Sequence, residues 1–208
     1  MLDFNNMVRY CFILFMMIQL NSFGQSYKTQ IEKYREHYKE EFLKDFRSPL
    51  KQDDLKNLHF FEADSNYRVN AKVEVLTNET SFQMPTYAGT SREYIRYAIL
   101  SFKLNGTDQK LTVYRSISLA RTVEYKDHLF LPFTDESNSE ETYGGGRYID
   151  LSSQDISANS IEVDFNKAYN PYCAYSDGYQ CPKPPVENDL KLKIKAGEMN
   201  YTGDKKHK

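Results

Sequence analysis

Between Tyr27 and Phe46 the apolar positions are Tyr27, Ile31, Tyr34, Tyr38, Phe42 and Phe46, spaced three or four residues apart. That spacing draws one stripe along a helix, with Lys, Glu, Arg and His on the other faces. Ser26 suits the N-cap. Ser48-Pro49 ends the helix, because a residue before proline is pushed out of the α region. The stripe reads as core rather than as a cofactor box. After Pro49 the period changes to two. In "YRVNAKVEVL", Tyr67, Val69, Ala71, Val73 and Val75 face one way, and Arg68, Asn70, Lys72 and Glu74 the other, as in a half-buried strand. "EYIRYAILSFKL" (93–104) and "KLTVYRS" (110–116) flank "NGTD", a hairpin turn signal. "HLFLPF" (128–133) is apolar on both faces and reads as a central strand. "RYIDL", "SIEVDFN" and "DLKLKIKAG" complete the strand-like segments, the last with lysines along one face, as on a guarded edge.

Short strands, repeated turns and one helix predict a mainly β (α+β) fold. The expected form is a bent antiparallel sheet, a sandwich or a partly open barrel, with the N-terminal helix packed on it. The chain has 208 residues, enough for one ordinary domain with a real core. Residues 25–48 form the helix, 49–200 the β-rich domain, and 201–208, ending in "GDKKHK", a disordered tail. Residues 1–24 read as a secretory signal peptide: Arg9, an apolar run from Tyr10 to Leu20, then small residues Ser22 and Gly24 before a cleavage point. The run is too short to span a bilayer, so no membrane span is expected after cleavage. An exported protein, periplasmic or extracellular, follows.

Without 1–24 the chain carries 26 basic against 28 acidic residues. No basic stripe is present, so no nucleic-acid partner is expected. Cys173 and Cys181 remain, and an even count in an exported chain favours a disulfide. Neither zinc spacing nor a close histidine pair appears, and no metal or cofactor is called for. "ETYGGGRYIDL" (141–151) fails as a phosphate loop, because its glycines precede a strand and no Lys-Ser/Thr follows. It reads as a turn needing positive φ or a close backbone approach.

The motifs "LFLPFTD", "ETYGGGRYIDL", "DFNKAYNPYCAYSDGYQCPKPPVEN" and "IKAGE" occur in this order. With them the chain resembles, over about 27–199, the uncharacterised bacterial family known as domain of unknown function 1684. The resemblance implies a bacterial, often exported protein with no established activity, and it assigns no catalytic residue.

The candidate chemistry lies between His128 and Asn188. Glu162, Asp164 and Asn166 share one strand face, which suits acid–base catalysis by two carboxylates or a loop held by Asp164. Arg147 suits an acidic ligand or an internal pair with Asp164 or Glu187. His128 is the one histidine placed to act as a base. Tyr143, Tyr148, Tyr169, Tyr172, Tyr175 and Tyr179 could stack on a sugar or build a wet core. The expected working face gathers Tyr143, Arg147, Asp164, Asn166, Tyr169, Asn170 and Glu187, with Tyr172 beside them. Three functions remain open. The first is a module binding a polar small molecule or saccharide. The second is a carboxylate-dependent hydrolase using Asp164 with Glu162 or Glu187. The third is a purely structural envelope protein. Oligomeric state is not legible.

Overall fold

The computed structural model describes residues 26–207; the predicted signal segment lies outside them. A helix, α1 (26–44), precedes eight strands: β1 Arg68–Val75, β2 Phe82–Pro85, β3 Ser91–Leu104, β4 Thr107–Ser116, β5 His128–Asp135, β6 Arg147–Ser152, β7 Ser160–Asp164 and β8 Asp189–Leu190. The strand order is β6-β5-β4-β3-β1-β7, with β2 paired to β3 and β8 parallel to β5. The sheet curls into a half-barrel, the bent antiparallel form that the alternation predicts. Beyond β7 the chain returns to β6, where Tyr148 and Tyr169 exchange two backbone hydrogen bonds of 2.9 and 3.0 Å.

The curl encloses the main core, which includes Val73, Leu100, Phe102, Leu111, Leu129, Leu131, Phe133, Ile161 and Phe165. Each such side chain contributes about 1.5–3 kcal/mol on leaving water. Alternation breaks at β5 for a physical reason. Leu129, Leu131 and Phe133 face this core, while Phe130 faces a second cluster with Met84, Tyr94, Tyr114 and Tyr148. A bulge in β3 supplies part of that second cluster. The register shifts between Arg96 and Ala98, so Arg96 opposes Tyr114 while Ala98 opposes Val113. One extra residue reverses which face each side chain meets. Tyr94 therefore leaves the core that Ala98 and Leu100 share. The Asn105-Gly106 turn has positive φ at both residues (51° and 78°), as a two-residue hairpin of this hand requires.

Three tyrosines of the α1 stripe reach the C-terminal half of the chain. Tyr27 donates to Asp164, Tyr34 to the Lys167 carbonyl and Tyr38 to Glu198. The helix stops before Pro49. Asp45 accepts from the backbone N–H of Arg47 at 2.9 Å and turns the chain. Phe46, expected on the stripe, thereby falls past the last helical turn and is 90% exposed.

The segment "DLKLKIKAG" differs from the strand expected. Only Asp189 and Leu190 pair, although Leu190 and Ile194 are buried and the lysines exposed. Its lysines are held by acids: Lys193 pairs with Glu140 and Lys195 with Glu141. The predicted loose tail is also tied down among the described residues. Lys206 bridges Ser176, and its ammonium reaches the Pro49 carbonyl at 2.7 Å.

The glycine turn is a close backbone approach. Gly146 has φ +80°, and a Cβ there would stand 2.6 Å from the Phe133 carbonyl oxygen. Gly146→Ala is expected to cost about 1–3 kcal/mol, read as a lower melting temperature. Gly144→Ala should cost less, since its Cβ meets the Ser139 hydroxyl rather than backbone. Equal losses at the two positions would refute this account.

Candidate functional site

The residues predicted to form one working face disperse into separate structural ties. Arg147 is fully buried and pairs with Asp135 at 2.8 Å, not with Asp164 or Glu187. Its guanidinium also donates to the carbonyls of Ile194 (2.9 Å), Glu198 (3.2 Å) and Ala196. Those are carbonyls of the segment that lacks a strand ladder, and Asp135 in turn accepts from the Ile194 N–H at 3.1 Å. One ion pair thus supplies the hydrogen bonds that a sheet would have given.

Asp164 sits at the end of β7, accepting from Tyr27 at 2.9 Å and from the Asn166 backbone at 3.0 Å. Asn166 also donates its side-chain amide to the Asp64 carbonyl. Glu162 pairs with Arg68 at 2.6 Å. Glu187 accepts from Arg96 at 3.1 Å and from Tyr114 at 2.9 Å. Tyr143 lies against the glycine turn, its ring beside Gly145. Asn170 is buried and donates its backbone N–H to Glu198 at 2.9 Å. The glycine turn, the acidic strand and the cystine segment therefore do not meet over a shared cavity.

A cleft of about 900 Å³ lies elsewhere, and it does receive His128, Tyr169, Tyr172 and Cys181 from the predicted set. Helix α1 contributes Tyr34, Tyr38 and Phe42 to one wall, with Asp45 and Arg47 from the turn beyond it. The sheet contributes Arg92, Tyr94, His128, Phe130, Tyr148 and Asp150. The segment from Pro171 to Pro182 forms a third wall. Cys173 and Cys181 stand at disulfide distance, with Cα atoms 6.2 Å apart, and close that wall into a short loop. The loop is lashed down at several points. Tyr179 donates to the Arg47 carbonyl at 2.6 Å, Tyr172 to Asp45 at 3.2 Å, and Tyr148 to the Pro182 carbonyl.

At the sheet side of the cleft three polar groups are joined. Asp150 Oδ1 accepts from His128 Nε2 at 2.9 Å, and Oδ2 accepts from the Tyr169 hydroxyl at 2.8 Å. The Asp150 side chain is half exposed. The other ring nitrogen of His128, Nδ1, is buried without a partner, and Tyr125 stands edge-on to the ring at 6.2 Å. Burial, then the Asp150 carboxylate, holds the Tyr169 hydroxyl well above its ordinary range. Burial pushes Tyr94 up to about 12, and burial with Asp45 does the same for Tyr172. At neutral pH these three tyrosines are neutral O–H groups and ring faces. Among the described residues no group of three or more His, Cys, Asp or Glu is placed to hold a metal ion. No described helix is long and apolar enough to cross a membrane.

Asp150 and Tyr94 are not among the residues expected in a site, and Tyr34 and Tyr38, expected as core on the α1 stripe, line the cleft instead. Asp150 had a signal. In "RYIDL", the alternation puts Asp150 on the face of Tyr148, opposite Ile149 and Leu151, a lone acid beside an aromatic. Tyr94 had none, because the β3 bulge decides its face.

Fold and cleft together define a half-barrel protein of curled antiparallel sheet, with a tyrosine-walled cleft between helix, sheet and a cystine-closed loop. The chain belongs to the family described as "Protein of unknown function (DUF1684)", which it matches over residues 53–199. It is similar to the solution NMR structure of an uncharacterized protein of Haloarcula marismortui, at 32% identity and a TM-score of 0.66. That match covers 88% of this chain and 100% of the other. Haloarcula is archaeal, so relatives of this chain are not confined to bacteria. No curated protein matches.

Proposed function

We propose that the protein is an exported binding protein that takes a neutral, polar small molecule in the tyrosine-walled cleft. The observation that carries this reading is the convergence of aromatic side chains from three separate parts of the chain on one cleft of about 900 Å³, a size suited to small ligands. The cleft's charged side chains are of both signs and nearly balanced, which supports a ligand without net charge: Glu41, Asp45 and Asp150 stand against Arg47 and Arg92. Tyrosine offers such a ligand a flat apolar face and a hydroxyl donor together. The binding site thus moves from the loop cluster expected in the sequence to the adjoining cleft. The hydrolase alternative has weaker support, because Glu162, Asp164 and Glu187 are each held by internal partners. A purely structural role fits the buried motif residues but leaves the cleft without a purpose. Export rests on the signal-like start and on the cysteine pair, and the mass of the mature N-terminus tests it.

Thermal-shift screening against a library of neutral polar metabolites tests the binding reading. A ligand at 100 times its Kd stabilises by about 2.7 kcal/mol, which raises the melting temperature by several degrees. Tyr125→Ala and Tyr172→Ala, at the rim and the loop wall, should weaken that shift. A library that leaves the wild-type melting point unmoved would overturn the reading.

A further inference from the structure

We infer that the ligand of this cleft is a saccharide, and that Asp150 is the residue that recognises it by accepting hydrogen bonds from two of its hydroxyls. The inference rests on the binding reading above and goes further, to a ligand class and an anchoring residue.

The geometry around Asp150 is that of a positioned acceptor. An ionised carboxylate has about four lone-pair sites on its two oxygens. His128 Nε2 occupies one site on Oδ1 and the Tyr169 hydroxyl one on Oδ2. One site on each oxygen is left, and the side chain is half exposed at the cleft. The two donors come from different parts of the fold. His128 opens β5, and Tyr169 follows β7 and is pinned to β6 by its own backbone. The carboxylate is therefore held on both oxygens and cannot rotate freely, while its remaining acceptor sites form a pair. Two adjacent hydroxyls of a pyranose or furanose ring match a paired acceptor of this kind.

His128 has no other route to the ligand. Its Nε2 is committed to Asp150 and its Nδ1 is buried. It is a positioning residue, and so is Tyr169. The surrounding wall suits the rest of a sugar. The rings of Tyr94, Phe130 and Tyr148 lie on the same face of the sheet, with Phe130 and Tyr148 4.7 Å apart between centroids. These rings are nearly buried and form the floor, while the more exposed rings of Tyr34, Tyr125 and Tyr172 in the same cleft offer apolar surface for the C–H face of a sugar ring. An organic cation would also favour aromatic walls with a carboxylate. Arg47 and Arg92 oppose it by offsetting two of the three acids. A strongly anionic ligand meets the same balance and would face Asp150 directly.

Isothermal titration calorimetry of the full mature protein against a panel of neutral mono- and oligosaccharides tests this, with deoxy analogues lacking one of two adjacent hydroxyls. A binding sugar is expected, with affinity falling about 10- to 100-fold in Asp150→Asn, as for hydrogen bonds to a charged acceptor. Wild-type protein should lose a comparable factor toward the right deoxy analogue, and Asp150→Asn should lose little more toward it. That coupling is read on the wild type as well as on the variant, so it does not hinge on the variant's stability. Tyr169→Phe should weaken the intact sugar but leave the deoxy ratio partly preserved. If a saccharide binds equally well to Asp150→Asn, the anchoring role of Asp150 fails; if only non-hydroxylated ligands bind in a manner sensitive to Tyr125→Ala, the saccharide class fails; in either case the binding reading stands. If neither panel binds, both fall.

Discussion

Arg147→Met is expected to remove about 3–5 kcal/mol of stability, the loss typical of a buried ion pair deprived of one partner. Domains of this kind hold about 5–15 kcal/mol in total, so the loss is a large share of the whole and brings a domain at the low end of that range close to unfolding. The reason is specific to this site. Without the guanidinium, Asp135 is a buried charge with no cation, and the carbonyls of Ile194, Ala196 and Glu198 lose their donor together. Arg147→Lys should not rescue it, since one ammonium cannot present a planar fork to acceptors on two sides. Asp135→Asn in the same background should recover part of the loss by removing the charge, but not the part owed to the carbonyls. Urea denaturation checks the series. A midpoint for Arg147→Met within experimental error of the wild type would show that the segment 191–198 does not depend on the guanidinium.

The second large effect is on pH dependence. Glu198 is fully buried and accepts from Tyr38 (2.9 Å), Tyr175 (2.6 Å) and the Asn170 N–H (2.9 Å). Burial raises its carboxyl from an ordinary 4.5 to about 7, against the lowering effect of those donors. Between these two values the folded protein keeps a proton that the unfolded chain has released. Stability from this group is therefore fully present below about pH 4.5, declines as pH rises to about 7, and changes no further above it. The span corresponds to about 3 kcal/mol. Melting temperatures between pH 5 and 8 should fall for the wild type and stay flatter for Glu198→Gln. Tyr175→Phe removes a donor that favours the charged form, so its decline should continue to higher pH. A wild-type profile that rises over this interval would contradict the assignment.

The fold was legible where side chains obey one period. The α1 stripe, the β1 alternation and the Asn105-Gly106 hairpin follow from residue type and spacing. Legibility failed where a long-range partner replaces a local rule. The alternation of Leu190, Leu192 and Ile194 reads as a strand, yet the Ile194 carbonyl goes to a side chain 47 residues away in sequence and the Leu192 carbonyl to the Glu136 N–H. The site failed for a related reason. Asp164, Asn166, Glu187 and Arg147 are the polar groups that a functional search favours. They are also what a tyrosine-rich chain needs in order to satisfy buried hydroxyls and turns. The cystine segment and Tyr169 were legible as part of a site. Their true companions, Asp150 and Tyr94, depend on strand facing that only the closed sheet decides.

The ties between α1 and the far end of the chain have a bearing on biogenesis. Tyr27 meets a residue 137 positions later, and Tyr38 one 160 positions later. The apolar side of the helix meets Leu58, Phe60 and Ala63 soon after it in the chain, but its tyrosine hydroxyls have no acceptor until residues 164–198 are made. Folding should be slow, as for any topology ruled by distant contacts. In an exported protein, as we propose this one to be, such a delay keeps the nascent polypeptide unfolded long enough to be threaded through a translocation pore, with the cleft assembled on the far side.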